Sequence, residues 1–320
     1  MYFVYLNVNS GITQCVKKYS DLVGGKLVTP YEIIPDNQDI FVFALPIDIW
    51  INYIKKYKPK ARSMHCMTIC ETETVHPYYK NLVELFDVIW VASEFCKKVF
   101  ERQFPNTAKF KVLRLWTNNP VPNFELIPFQ VPPSVKYIFY HIGNVLDPRK
   151  NMKKLIETFM RLDLPDSLFI IKATGLRPFN FKTKNICVIN DFLTLGQLEH
   201  LHRMCDCYVS FSFSEGVGMG AVEAAIRNKP VIITEYGGCV EYVKTPYTIQ
   251  CGRRPVGYSE FLFEPNMVWG DPDVKQLSSF MKDAYDKKLR VMNHEHTRRV
   301  MDNISHELRN INNNTKNDDT

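Results

Sequence analysis

Ser212–Glu241 reads SFSEGVGMGAVEAAIRNKPVIITEYGGCVE, and its pattern decides the fold. An apolar run over Tyr208–Phe213 ends inside it. Glu215 follows in a turn with Gly216, Val217, Gly218 and Gly220. A helix is expected over Met219–Arg227, before a second apolar run at Val231–Thr234. Strand, glycine turn, helix and strand make one βα unit of a parallel sheet. Glycines let the backbone approach a ligand closely. The free amides and dipole of the helix start suit an anion such as phosphate. Glu223 falls about one turn into the helix, at roughly 1.5 Å rise per residue, where its carboxylate can accept two hydrogen bonds from a vicinal diol such as a ribose. Glu215 is expected nearer the mouth, within reach of sugar hydroxyls. Each feature alone has a plainer reading: two glutamates eight positions apart arise by chance, and an early-helix Glu often serves only the dipole.

The same alternation runs along the rest of the chain. Upstream, apolar runs at Tyr2–Val8, Ile40–Leu45, Ser63–Ile69, Val88–Ala92 and Lys111–Leu115 alternate with helical patterns at Ile47–Lys58, Tyr78–Phe86 and Ser93–Phe104. Several runs are apolar on successive residues, as strands buried on both faces are. Residues 118–134, with five prolines, show neither period. Proline fixes φ and lacks the amide donor, so this stretch reads as a linker. Beyond it, runs at Tyr137–Ile142, Leu168–Ile171 and Ile186–Ile189 alternate with helices at Met152–Leu162, Leu195–Met204 and Val240–Val243. The expectation is an α/β protein with two Rossmann-like, doubly wound parallel sheets. The first domain is 1–132, with its linker at about 118–134, and the second is 135–309 with a terminal helix. The Asn-rich stretch 310–320 is expected to be a disordered tail. Ligands of such sheets bind at the carboxyl ends of the strands, here in a cleft between the two.

Composition narrows the classes. The chain has 320 residues, 45% hydrophobic and 23% charged, as soluble globular proteins do. No apolar run reaches the roughly 18 residues of a membrane span. The first ten residues lack the basic and apolar regions of a secretory signal, which points to a cytoplasmic protein. Its nine cysteines then read as small buried hydrophobes. The net charge of +6 is spread evenly and lacks the clustering of a nucleic-acid binder.

The central string resembles retaining GT-B glycosyltransferases of family 4, whose donor signature is E-x7-E, here Glu215 to Glu223. Ser214-Glu215-Gly216, Glu223-Ala224-Ala225, Lys229-Pro230-Val231-Ile232, Gly237-Gly238 and Glu241 carry the likeness. So do Leu198–Ser214, with Asp206, and Gly143–Asn151 with Leu155–Phe159. Val88–Lys98 resembles the family's strand-then-Ser-helix element in the first half. The resemblance implies transfer of a sugar from a nucleotide diphosphate sugar to an acceptor hydroxyl, with retention and without a metal or cofactor. It implies that Glu223 binds the ribose and Glu215 contacts the donor sugar. Lys150 matches the family's phosphate lysine. Asn144 stands where the family has Arg, and Arg149 is the candidate substitute. A solvated basic turn is the alternative for Arg149 and Lys150, since Lys153 and Lys154 follow. Base contacts are implied around Phe192 and Leu193, largely through backbone. No residue matches a glycosidase nucleophile, so the resemblance implies front-face attack, the leaving phosphate taking the acceptor's proton.

The acceptor side is expected in the first domain. Candidates are Gly11, in the glycine loop Asn9–Ile12, and Glu71, Glu73 and His76 after an apolar run, whereas His65 reads as a buried core histidine. The acceptor class, glycan, lipid-linked or protein, is open. His200, His202, Cys205 and Cys207 mimic a zinc set, but the histidines point to different helix faces and the cysteines straddle a helix–strand junction, so no metal is expected. Ile47–Lys60 mixes aromatics with lysines. A surface helix and a weak peripheral membrane contact both fit it. A catalytically inactive protein of the same fold, binding nucleotide-sugar or glycan, is the alternative function.

Overall fold

The computed structural model describes residues 1–6, 11–175, 177–181 and 183–317, without the side chains of 309–317. Contacts divide it into two units. The first is 1–117 with 255–268 and 299–320, and the second is 118–254 with 269–298.

The first unit holds β1 (Tyr2–Val4), α1 (Gly11–Val23), β2 (Lys26–Val28), β3 (Asp39–Phe43), α2 (Asp48–Tyr57), β4 (Ser63–Thr68), α3 (Tyr79–Leu85), β5 (Val88–Val91), α4 (Glu94–Gln103) and β6 (Phe110–Val112). Its six strands are all parallel, in the order β2-β1-β3-β4-β5-β6. Val42, Cys66 and Val91 of the sheet pack with Trp50, Ile54, Val99 and Phe100 of the helices. Trp50, Tyr53, Ile54 and Tyr57 of α2 are thus buried in the core, while Ile51 is half-buried and Ile49 exposed.

The second unit holds β7 (Tyr137–Gly143), a 3₁₀ turn (Pro148–Lys150), α5 (Met152–Leu162), β8 (Ser167–Ala173), β9 (Ile186–Ile189), α6 (Leu195–Met204), β10 (Cys207–Val209), α7 (Met219–Ile226), β11 (Val231–Thr234), α8 (Cys239–Tyr242) and β12 (Thr248–Ile249). The ribbon β13 (Cys251–Pro255) and β14 (Val268–Pro272) follows, then α9 (Val274–Asp286) and α10 (Glu295–Asn317). The six-stranded parallel sheet runs β12-β11-β10-β7-β8-β9. Every residue of β8 is buried, which explains its apolar run Leu168–Ile171, while the flanking Ser167 and Lys172 donate to the Leu164 and Ala173 carbonyls. Leu155 and Phe159 of α5 pack on Phe139 and Phe169, each buried side chain contributing roughly 1.5–3 kcal/mol.

Three expectations change. The proline-rich stretch counts with the second unit, not with 1–132, because Arg227 and Arg203 hold its carbonyls: Arg227 reaches Asn118 O and Asn119 O at 3.2 Å, and Arg203 reaches Val121 O at 3.1 Å. The terminal helix counts in part with the first unit, where Met301, Ile304 and Leu308 are buried. Residues 310–317, expected to be disordered, continue α10. Of the expected glycine loop, Asn9 and Ser10 lie outside the described residues, and Gly11 opens α1.

Candidate functional site

In the second sheet, chain order reverses direction between β7 and β10. Loops leaving the carboxyl ends of two such strands diverge and leave a crevice, the usual ligand position in open α/β sheets. Here those loops are Asn144–Asn151 after β7 and Ser210–Gly218 after β10. They are tied together by the Phe213 amide, which donates to Arg149 O at 2.8 Å.

Asp147 caps the 3₁₀ turn by accepting from the Arg149 amide at 2.9 Å, and its other oxygen takes Arg149 Nη2 at 2.9 Å. Arg149 Nη1 donates to Ser214 O at 2.6 Å and to Glu215 Oε2 at 3.1 Å. Lys150 Nζ donates to Glu215 Oε1 at 2.5 Å, and Ser212 Oγ donates to the same oxygen at 2.7 Å. Burial alone would push the Glu215 carboxyl up. The charges of Lys150 and Arg149, with hydrogen bonds from Lys150 and Ser212, outweigh it and hold the group down to about 2. Glu215, expected nearer the mouth, is 7% exposed, and both its carboxylate oxygens accept from neighbouring side chains. It is the buried anchor of two cations.

The turn after Glu215 is fixed from behind. Glu215 bridges to Gly237, and the Gly238 amide donates to Glu215 O at 2.8 Å. Gly237 has φ +96, and a Cβ there would overlap the Glu215 carbonyl, so only glycine fits. Gly220, in the first turn of α7, lies against Ile142 O and the Tyr208 hydroxyl, where a Cβ would also clash. The amino end of α7 is thereby seated beside the end of β7. His141 is buried there. Its Nδ1 faces Val209 O at 2.9 Å, and burial holds it down to about 4.

Glu223, 9% exposed on α7, belongs to a second cluster. Asn118 Nδ2 donates to its Oε1 at 3.3 Å, and His202 Nε2 lies 3.8 Å from Oε2. Behind it, Arg227 donates to Glu199 Oε2 at 2.8 Å and to Glu223 O at 2.9 Å. Asn118, Asp147, Ser212 and His202 were not expected here. In the sequence Asn118 lies in the proline-rich stretch and His202 belongs to the zinc mimic, and neither setting signals a role beside Glu223. The other members of that mimic go elsewhere: His200 Nδ1 accepts from the Ile127 amide at 3.2 Å, and Cys205 and Cys207 are buried free thiols.

Gly216 and Val217 are buried, and Asn144 is exposed just after β7. Phe192 is 69% exposed while Leu193 is buried. In the first unit, Glu71, Glu73 and His76 follow β4. The Glu73 amide donates to Val268 O at 2.9 Å, and His76 Nε2 lies 3.2 Å from Glu264 Oε1. His65 is a core histidine, with Trp90 Nε1 donating to its Nδ1 at 3.2 Å. No helix among the described residues is long and apolar enough to cross a membrane.

Residues 123–250, less than half of the chain, match the family model for glycosyl transferases group 1. No curated protein matches the sequence. The structure is similar to Anabaena HepE solved with UDP-glucose, with TM-score 0.64 and 12% identity over 99% of each chain. It is also similar to sucrose-phosphate synthase from Thermosynechococcus elongatus, with TM-score 0.63 and 12% identity over 98% of each. A third likeness is to a glycosyltransferase from Rickettsia africae, with TM-score 0.59 and 14% identity over 97% of this chain and 93% of that one. The chain has the GT-B fold of two parallel-sheet α/β units, and its second unit carries the segment that matches glycosyl transferases group 1.

Proposed function

We propose that the protein is a glycosyltransferase that moves a sugar from a nucleoside diphosphate sugar to an acceptor hydroxyl, with retention and without a metal. The observation that carries this reading is the pairing of Lys150 and Arg149 with Glu215 at the strand-order reversal. Two cations fixed in place by Glu215 and Asp147 offer preorganised N–H donors, and donors that need no reorganisation are what a departing diphosphate needs. In this reading the amino end of α7 and the two cations take the diphosphate, Glu223 takes the ribose, and Gly216–Gly218 lie against the sugar. Lys150 and Arg149 supply the charge that a divalent cation would otherwise supply. The acceptor attacks from the face the diphosphate leaves, and the protein contributes placement and charge.

The test is product formation from a panel of UDP-, GDP-, ADP- and CDP-sugars, with Glu223→Ala as control. Proton NMR of the product reads the anomeric configuration, and an unchanged rate in EDTA reads the metal. Full turnover by Glu223→Ala overturns the site. Inversion overturns retention. Binding of a nucleotide-sugar without turnover replaces the enzyme by the binding protein of the same fold.

A further inference from the structure

The feature that the donor reading leaves unexplained lies behind Glu223. His202 on α6 is 1% exposed. Its Nδ1 is 2.8 Å from the Tyr140 hydroxyl on β7. Its Nε2 has no hydrogen-bond partner among the described residues, and it lies 3.8 Å from Glu223 Oε2. Burial, before any neighbour, holds the Tyr140 phenol well above its ordinary range, so it keeps its proton and can donate. Burial likewise holds His202 below the usual imidazole range, so the ring is neutral. A neutral imidazole has one N–H and one lone pair. With the phenol donating to Nδ1, the N–H sits on Nε2 and faces the carboxylate. A buried N–H without a partner is costly. The 3.8 Å gap is longer than an N–H···O bond, and closing it would give that N–H its acceptor.

We propose that Tyr140 and His202 form a buried relay that orients the Glu223 carboxylate, and that His202 is thereby a positioning residue for selecting a nucleotide with both ribose hydroxyls. The inference rests on the assignment of Glu223 to the ribose. A diol donates two hydrogen bonds to one carboxylate only if that carboxylate is held in orientation. Asn118 donates to Oε1 at 3.3 Å, and the imidazole N–H, 3.8 Å from Oε2, would fix the other oxygen. Because the ring is neutral, it does this without placing a further charge behind the diol.

The experiment is calorimetric binding of UDP, GDP, ADP and CDP to the full chain, followed by the 2′-deoxy and 3′-deoxy forms of the tightest. Pyrophosphate serves as the probe of the phosphate part alone. Wild type is expected to prefer the ribonucleotide by about tenfold or more, the worth of a hydrogen bond to a charged group. Glu223→Ala is expected to abolish that preference. His202→Leu is expected to cut it to about threefold with pyrophosphate binding unchanged, and His202→Gln, which keeps a donor, to restore most of it. Tyr140→Phe, a milder change that keeps the packing, is expected to fall between. An undiminished preference in His202→Leu and Tyr140→Phe, lost in Glu223→Ala, overturns the relay and leaves the donor site standing. An equal loss for all ligands in the His202 and Tyr140 variants makes the role structural and also overturns it. A wild type that binds none of the four nucleotides, or shows no preference, overturns the donor reading and the relay with it.

Discussion

Lys150 donates to Glu215 Oε1 at 2.5 Å, although 65 positions separate them in the chain. They leave the ends of β7 and β10, the two neighbouring strands between which chain order reverses. The contact is local in space because parallel strands place every carboxyl end on one edge of the sheet.

Glu215→Gln keeps the shape of that anchor and removes its charge. Transfer activity is expected to fall about 10²–10³-fold, the usual cost of losing one preorganised group. Initial rates with whichever nucleotide-sugar of the panel is turned over check this, with Lys150→Ala expected to fall as far. Glu215→Ala also leaves the Arg149 guanidinium without one of its buried anions and is expected to cost about 3–5 kcal/mol in urea unfolding.

Glu199 offers a contrast between two arginines. Its partner Arg227 is buried, while the side chain of Arg203 is 45% exposed. Arg227→Ala is expected to destabilise by about 3–5 kcal/mol, because it removes the buried one of the two arginines on Glu199 and frees the Asn118 and Asn119 carbonyls. Arg203→Ala is expected to cost about 1 kcal/mol or less, since solvent screens the exposed pair. Equal urea midpoints for the two variants would contradict the assignment of burial as the deciding factor.

Stability is expected to fall with acidification well before the carboxylates titrate. Burial holds His65 and His141 each down to about 4, and it also holds His202 and His294 below their ordinary value. Unfolded, each histidine titrates near about 6.5. Between about pH 6.5 and 4 the unfolded chain therefore binds more protons than the folded one, and each group withdraws up to about 1.4 kcal/mol per pH unit as pH drops. Glu215 follows later. Its contribution is present above about 4.3 and is lost as pH falls toward about 2. Urea midpoints at pH 7.5, 6 and 5 should decrease in that order, and a flat profile would refute the buried neutral histidines.

Gly237→Ala places a side chain at φ +96 against the Glu215 carbonyl. The backbone cost is about 1–3 kcal/mol, and the displaced Glu215 should lower activity beyond what the stability loss explains. Thermal unfolding and initial rates measured together separate the two effects.

The sequence alone determined the βα alternation, since apolar runs and helical faces follow from local period. Met152–Leu162 and Leu195–Met204 have the same bounds in sequence and structure. It missed α1, whose inward face mixes Thr13, Cys15 and Ser20 with Val16 and Tyr19, so the apolar stripe is diluted. It misjudged 310–317, because composition measures the capacity to bury a core and not the continuation of a helix already begun upstream. Around the site it supplied the two glutamates, the glycines and the basic pair, whose spacing is local. Only the tertiary structure decided that Glu215 is buried against Lys150 and Arg149, that Asn118 hydrogen-bonds Glu223, and that His202 lies 3.8 Å from it. Those partners lie 65, 105 and 21 positions or more from the groups they serve, and what joins them is strand order, which no local period encodes.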